Sequence, residues 1–102
     1  MKLPRSSGKQ KKRKLLIVRR VHGRSMMPYL NPGQIVIAHG LYRNLKPLDV
    51  VIIEHAGLEK IKRIVSIHSE SIIVNGDNQS ESTDSRQFGP VPISCVRAKV
   101  IS

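Results

Sequence analysis

The chain has 102 residues and 11.4 kDa, with 18 Lys and Arg against 7 Asp and Glu, a formal net charge of +11 at pH 7. That length suits one domain and leaves no room for two. The single Cys excludes both a disulfide framework and a Cys-based zinc site within one chain. Aromatic residues are 3% of the chain and Trp is absent, so the core has to come from Ile, Val and Leu.

The charge is unevenly spread. Residues 1–48 carry 12 Lys and Arg and no acid, the first acid being Asp49; the rest carry 6 basic and 7 acidic residues. The excess concentrates in Lys2, Arg5, Lys9, Lys11, Lys12, Arg13 and Lys14. Residues 1–14 read as a flexible basic tail, because like charges repel and nothing there can be buried. Its functional reading is contact with an anionic membrane surface; nucleic acid stands behind that, as an unlikely partner. No stretch approaches the about 20 apolar residues of a membrane-spanning helix. Leu15–Val18 is shorter than the about seven apolar residues of a signal peptide, and Arg19 and Arg20 close it. The expected location is therefore cytoplasmic or peripheral to a membrane.

Residues 15–102 read as one domain. Leu15–Val21 forms a first strand and Gln34–Ala38 a second, after a turn opened by Gly33. Pro47-Leu48-Asp49 is a turn, followed by the β-branched strand Val50–Glu54. Ala56-Gly57 marks a hairpin into a long strand over Lys60–His68, and Ser69-Glu70 a second hairpin into Ser71–Val74. Asn75–Gly89 is a polar loop, and Val96–Ile101 closes the sheet. Short β-rich runs with Gly and Pro punctuation predict a compact all-β, coiled antiparallel structure. No segment shows a helical period.

Three stretches carry candidate chemistry. Gly23-Arg24-Ser25-Met26-Met27-Pro28 holds a Ser between Gly and Pro, beside two flexible apolar side chains at the rim of a groove. In Ile61-Lys62-Arg63-Ile64, strand alternation sends Lys62 and Arg63 to opposite faces. A Lys on a half-buried strand loses hydration, which favours the neutral amine able to take a proton from a Ser hydroxyl. Gly76-Asp77-Asn78 and Ser82-Thr83-Asp84-Ser85-Arg86 lie in the long loop. There Asp84 and Arg86 are close enough to pair, and Asp77 can accept from an Arg or from backbone N–H groups. A loop this long without regular structure usually has a purpose.

Taken in this order, the three stretches resemble the type I signal peptidase family of Ser-Lys serine proteases. The pattern is Gly-x-Ser-Met-x-Pro, a Lys-Arg on a strand, then Gly-Asp-Asn and Ser-x-Asp-Ser-Arg-x-x-Gly, over residues 21–101. The resemblance implies Ser25 as nucleophile and Lys62 as general base. It implies Ser82 as the hydroxyl orienting the amine, Asp84 and Arg86 as a supporting ion pair, and Asp77 as part of the same scaffold. Met26, Met27 and Pro28 would contact a precursor substrate bound as an extended strand, with small residues favoured before the cut. No cofactor and no metal is implied, and His22, His39, His55 and His68 are too dispersed for metal-ligand spacing.

Departures from the pattern fall at Tyr29, where Thr is usual, at Gln34, and at Leu48. The reading expects a form without the family's N-terminal membrane anchor and without its insertion after the Lys-Arg, a short form similar to the maturation proteases of nickel superoxide dismutase. The competing readings are a self-cleaving repressor-like domain and a non-catalytic module binding peptide or nucleic acid. Pro4 and Gly8 argue against a helix-turn-helix in the first 20 residues. Cys95 reads as a small buried residue.

Overall fold

A computed structural model of the chain describes residues 15–78 and 89–101. The tail expected over 1–14 lies outside the described residues, as do Ser82, Asp84 and Arg86. The described strands are β1 (Ile17–Arg20), β2 (Ile35–His39), β3 (Val50–His55), β4 (Leu58–His68), β5 (Ser71–Asn75), β6 (Val91–Pro92) and β7 (Val96–Val100). They form one antiparallel sheet in the order β1-β2-β7-β3-β4-β5-β6. Among the described residues, the only helical element is a single 3-10 turn over Ile93–Cys95, so the fold is all-β as expected. No helix among them is long and apolar enough to cross a membrane.

The strands follow from the residues. β3 opens on the aliphatic run Val50-Val51-Ile52-Ile53, buried throughout because both faces are covered there and both edges are paired, to β7 and β4. Val51 and Ile53 pack on one side with Ile64, Ile72, Val74, Val91 and Val96. Val50 packs on the other with Val21, Met26, Leu30 and Val36, and Ile52 with Ile17, Ala38 and Ala98. The β3–β4 hairpin turns on Ala56 (φ 54) and Gly57 (φ 78), both in the left-handed region that a two-residue hairpin matching strand twist requires. The β4–β5 hairpin turns at Ser69-Glu70, with Ser69 at φ 56.

The sheet coils back on itself. β1 and β4 stand four places apart in the strand order, yet Arg19 on β1 is ion-paired to Glu59 on β4 at 2.6 Å. That closure brings the segment after β1 over the first half of β4. Two expectations need correction. The sheet gains β6, whose two residues include a Pro and were too short to show a strand pattern. Cys95 is partly exposed rather than buried, because it sits in the turn before β7 and not in a strand.

Candidate active site

The segment Val21–Leu30 connects β1 to β2 and carries Ser25. Met26 and Leu30 anchor it, their side chains 2% and 3% exposed in the cluster with Val36 and Val50. Leu30 N–H donates to the Met26 carbonyl at 2.9 Å, and Met27 N–H to the Arg24 carbonyl at 3.1 Å, winding the chain into tight turns. Gly23 (φ 77) supplies the left-handed residue that starts this winding. Ser25 is left half-buried between exposed Arg24 and buried Met26.

Lys62 sits in the first half of β4, paired across the ladder to Val51. Its side chain is only 3% exposed, more deeply buried than a half-covered strand suggests. Burial of this kind disfavours an ammonium relative to a neutral amine. A groove of about 390 Å³ has both Ser25 and Lys62 in its wall. Val21, Met26 and Ile61 provide its apolar part; Arg19, Arg20, His22, Glu59 and Lys60 provide its polar rim. Met26 therefore serves the core and the groove together. Met27 is half-buried and Pro28 exposed, and neither is among the groove residues.

Arg63 faces away from Lys62 and holds the other side of the site. Its Nε and Nη2 donate to the two carboxylate oxygens of Asp77, each at 2.8 Å, and its Nη1 to the Leu48 carbonyl at 2.9 Å. The guanidinium also lies 4.7 Å from the centre of the Tyr29 ring. The hydrogen bonds that Arg63 donates to Asp77 push its pKa up, further securing its charge. One residue beyond Asp77, the Asn78 N–H donates to the Ser25 carbonyl at 2.7 Å. The chain of contacts thus runs from Tyr29 through Arg63 and Asp77 to the backbone of Ser25. Arg63 is a functional residue that sequence reasoning missed; its signal was its place beside Lys62 and an Asp77 read as accepting from an Arg or from backbone N–H groups.

Near the turn into β3, burial alone would raise the Asp49 pKa. Hydrogen bonds from the Lys46 N–H (3.0 Å) and ammonium (3.1 Å), with the charges of Lys99 and Lys46, outweigh it and hold the carboxyl below its ordinary value. Among the described residues, no group of three His, Cys, Asp or Glu side chains is arranged to hold a metal ion.

The profile of the family described as "Signal peptidase, peptidase S26" matches residues 55–102, a span that contains Lys62. The chain is 33% identical over 114 residues to the mitochondrial inner membrane protease subunit 1 of Schizosaccharomyces pombe, covering 86% of this chain and 73% of that protein. It is 30% identical over 110 residues to the mitochondrial ATP-independent inner membrane protease subunit 1a of Arabidopsis thaliana, covering 79% and 66%. With the mitochondrial inner membrane protease subunit 1 of Mus musculus it shares 27% over 104 residues, covering 76% and 63%. The chain thus spans between 63% and 73% of the length of these three relatives. A continuous span of 86% of this chain has to contain both position 25 and position 62. Together, the profile match over β4 to β7 and a relative aligned across both halves of the groove place the chain in the peptidase S26 family of signal peptidase-type proteases.

Proposed function

We propose that the chain is a precursor-processing serine endopeptidase in which Ser25 is the nucleophile and Lys62 the general base. The observation that carries this reading is that Ser25 and Lys62 line one groove, with Lys62 only 3% exposed. The neutral Lys62 amine takes the Ser25 hydroxyl proton as Oγ attacks the scissile carbonyl. That proton then passes to the leaving amine, and an acyl-enzyme remains on Ser25. Water attacks the ester, Lys62 again takes the proton, and the Ser25 hydroxyl is restored. The Ser25 N–H is one oxyanion donor; Gly23 offers no hydroxyl, so the second donor comes from elsewhere.

Ser82 orients the Lys62 amine in this reading, and the Asp84–Arg86 pair supports the loop that carries it. The substrate is an extended precursor segment held along the groove, with Met26 under the residues before the cut. Met27 and Pro28 shape the nucleophile turn and reach substrate beyond the groove. The reaction needs no cofactor. The relatives are named as inner membrane proteases, which supports a precursor presented at a membrane surface, with the basic tail as a contact for anionic lipid.

The test is cleavage of precursor peptides by Ser25→Ala and Lys62→Ala, with a Ser-directed acylating probe in parallel. Both variants lose cleavage, and Ser25→Ala also loses labelling. Unchanged cleavage by either variant sinks the dyad. Absence of both Ser25 labelling and peptide turnover points instead to a non-catalytic peptide-binding scaffold.

A further inference from the structure

The groove lies between β1 and the first half of β4, and one ion pair joins these two walls. Arg19 Nε and Nη2 donate to the two carboxylate oxygens of Glu59 at 2.6 and 3.3 Å, and Arg19 Nη1 donates to the Val18 carbonyl at 3.0 Å. Both side chains line the groove, and they are 42% and 40% exposed. An ion pair so open to solvent adds little to stability. Glu59 also stands directly opposite Glu54 in the β3–β4 ladder, a like-charge pairing that a sheet does not favour. Folding therefore gives little reason for a carboxylate at this position. The groove gives one: Arg20 and Lys60 flank the pair on the rim, and Glu59 is the one acid among the described residues that line it.

We propose that the Arg19–Glu59 pair is a charge-reading strap across the groove, selecting an acidic substrate side chain and rejecting a basic one about three to four residues from the cut. The proposal rests on the reading of the groove as the substrate site, with Ser25 and Lys62 at the scissile bond. Glu59 precedes Lys62 by three residues, about 10 Å along an extended strand, so a segment running beside β4 from the cut meets the pair at that interval. Glu59 already has both oxygens on Arg19. A substrate Lys or Arg gains little from it there and stands against Arg19, Arg20 and Lys60. A substrate Glu or Asp faces the same cations with the opposite sign. The Arg19 guanidinium carries further N–H groups beyond those given to Glu59 and Val18, so a second carboxylate joins it without breaking the first pair. Glu59 holds the guanidinium in the groove and moderates its pull on the substrate.

The test uses the full chain as Ser25→Ala, so that bound peptide is not consumed. Fluorescence polarisation gives Kd for labelled Ala-Ser peptides that differ only in one central residue: Glu, Gln or Lys. The Glu peptide binds about three- to tenfold more tightly than the Lys peptide, with Gln between them. Glu59→Gln widens that ratio by about threefold or more, and Arg19→Gln brings it to about one. Glu70→Gln makes an equal charge change at the β4–β5 turn and leaves the ratio unaltered, which separates the pair from the general attraction of a cationic chain. A purely structural pair shifts all three affinities together and leaves their ratio where it was. Should Arg19→Gln fail to fold, Glu59→Gln keeps the side-chain shape and decides alone. Equal affinity for the three peptides, a ratio that neither variant moves, a ratio that Glu70→Gln moves as far, or absence of all binding overturns the proposal. Binding is read without cleavage, so these outcomes are distinguishable from failure of the dyad, which unchanged cleavage by Ser25→Ala reports.

Discussion

The Arg63–Asp77 pair is the sharpest place to test how the site is held. Asp77→Asn keeps the shape of the side chain but removes its charge and one of two acceptor oxygens. The two bonds are 2.8 Å long, and the side chains are 25% and 20% exposed, so solvent screens them only in part. A hydrogen bond to a charged group contributes about 1.5–3 kcal/mol; one is kept in weakened form, so the loss is about 2 kcal/mol. In a domain this size that lowers Tm by about 8–16 °C. Arg63→Met removes the bond to Leu48 and the contact with Tyr29 as well, and costs about 3 kcal/mol. Urea denaturation of both single variants and the double variant gives the coupling energy, expected to exceed about 1 kcal/mol. Peptide cleavage falls along with stability in Asp77→Asn, because Asn78 carries the bond to the Ser25 carbonyl. A coupling near zero refutes the pair as a clamp, and full cleavage by a destabilised Asp77→Asn refutes its link to Ser25.

Two further outcomes follow from the same geometry. Gly23→Ala meets no atom within 4 Å, so its cost is conformational: about 1–2 kcal/mol for placing an L side chain at φ 77, visible in urea denaturation, with a fall in kcat as the Ser25 turn shifts. The Asp49 carboxyl is held below its ordinary value in the folded chain, so its contribution to stability is present above the unfolded pKa and lost as pH falls through the folded one. Asp49→Asn therefore flattens the acid limb of a stability-versus-pH curve, and an unaltered limb contradicts that assignment.

Most strands were legible because their evidence is local. The β-branched runs of β3 and β5, the alternation of β2 and the Ala56-Gly57 turn each act over a few residues. β6 was not legible, since two residues ending in Pro carry no periodicity and pair only because β5 presents an edge. The candidate pair Ser25 and Lys62 was recognisable from ordered motifs, although neither motif alone separates a site from a loop Ser and a strand Lys. Asp77 was recognised as needing a partner; that the partner is Arg63 depends on β4 and the Asp77 turn lying side by side.

By itself, the sequence determined the residue types in play: an all-β chain, a Ser flanked by Gly and Pro, a Lys-Arg pair on opposite faces of a strand, and a charge excess confined to the first half. Only the tertiary structure decided that Lys62 is almost wholly buried, that Met26 serves the core as well as the groove, and that Arg19 reaches Glu59. Those outcomes are non-local. Strand twist accumulates across the sheet until β1 returns over β4, and that closure selects which side chains lose water and which share a groove.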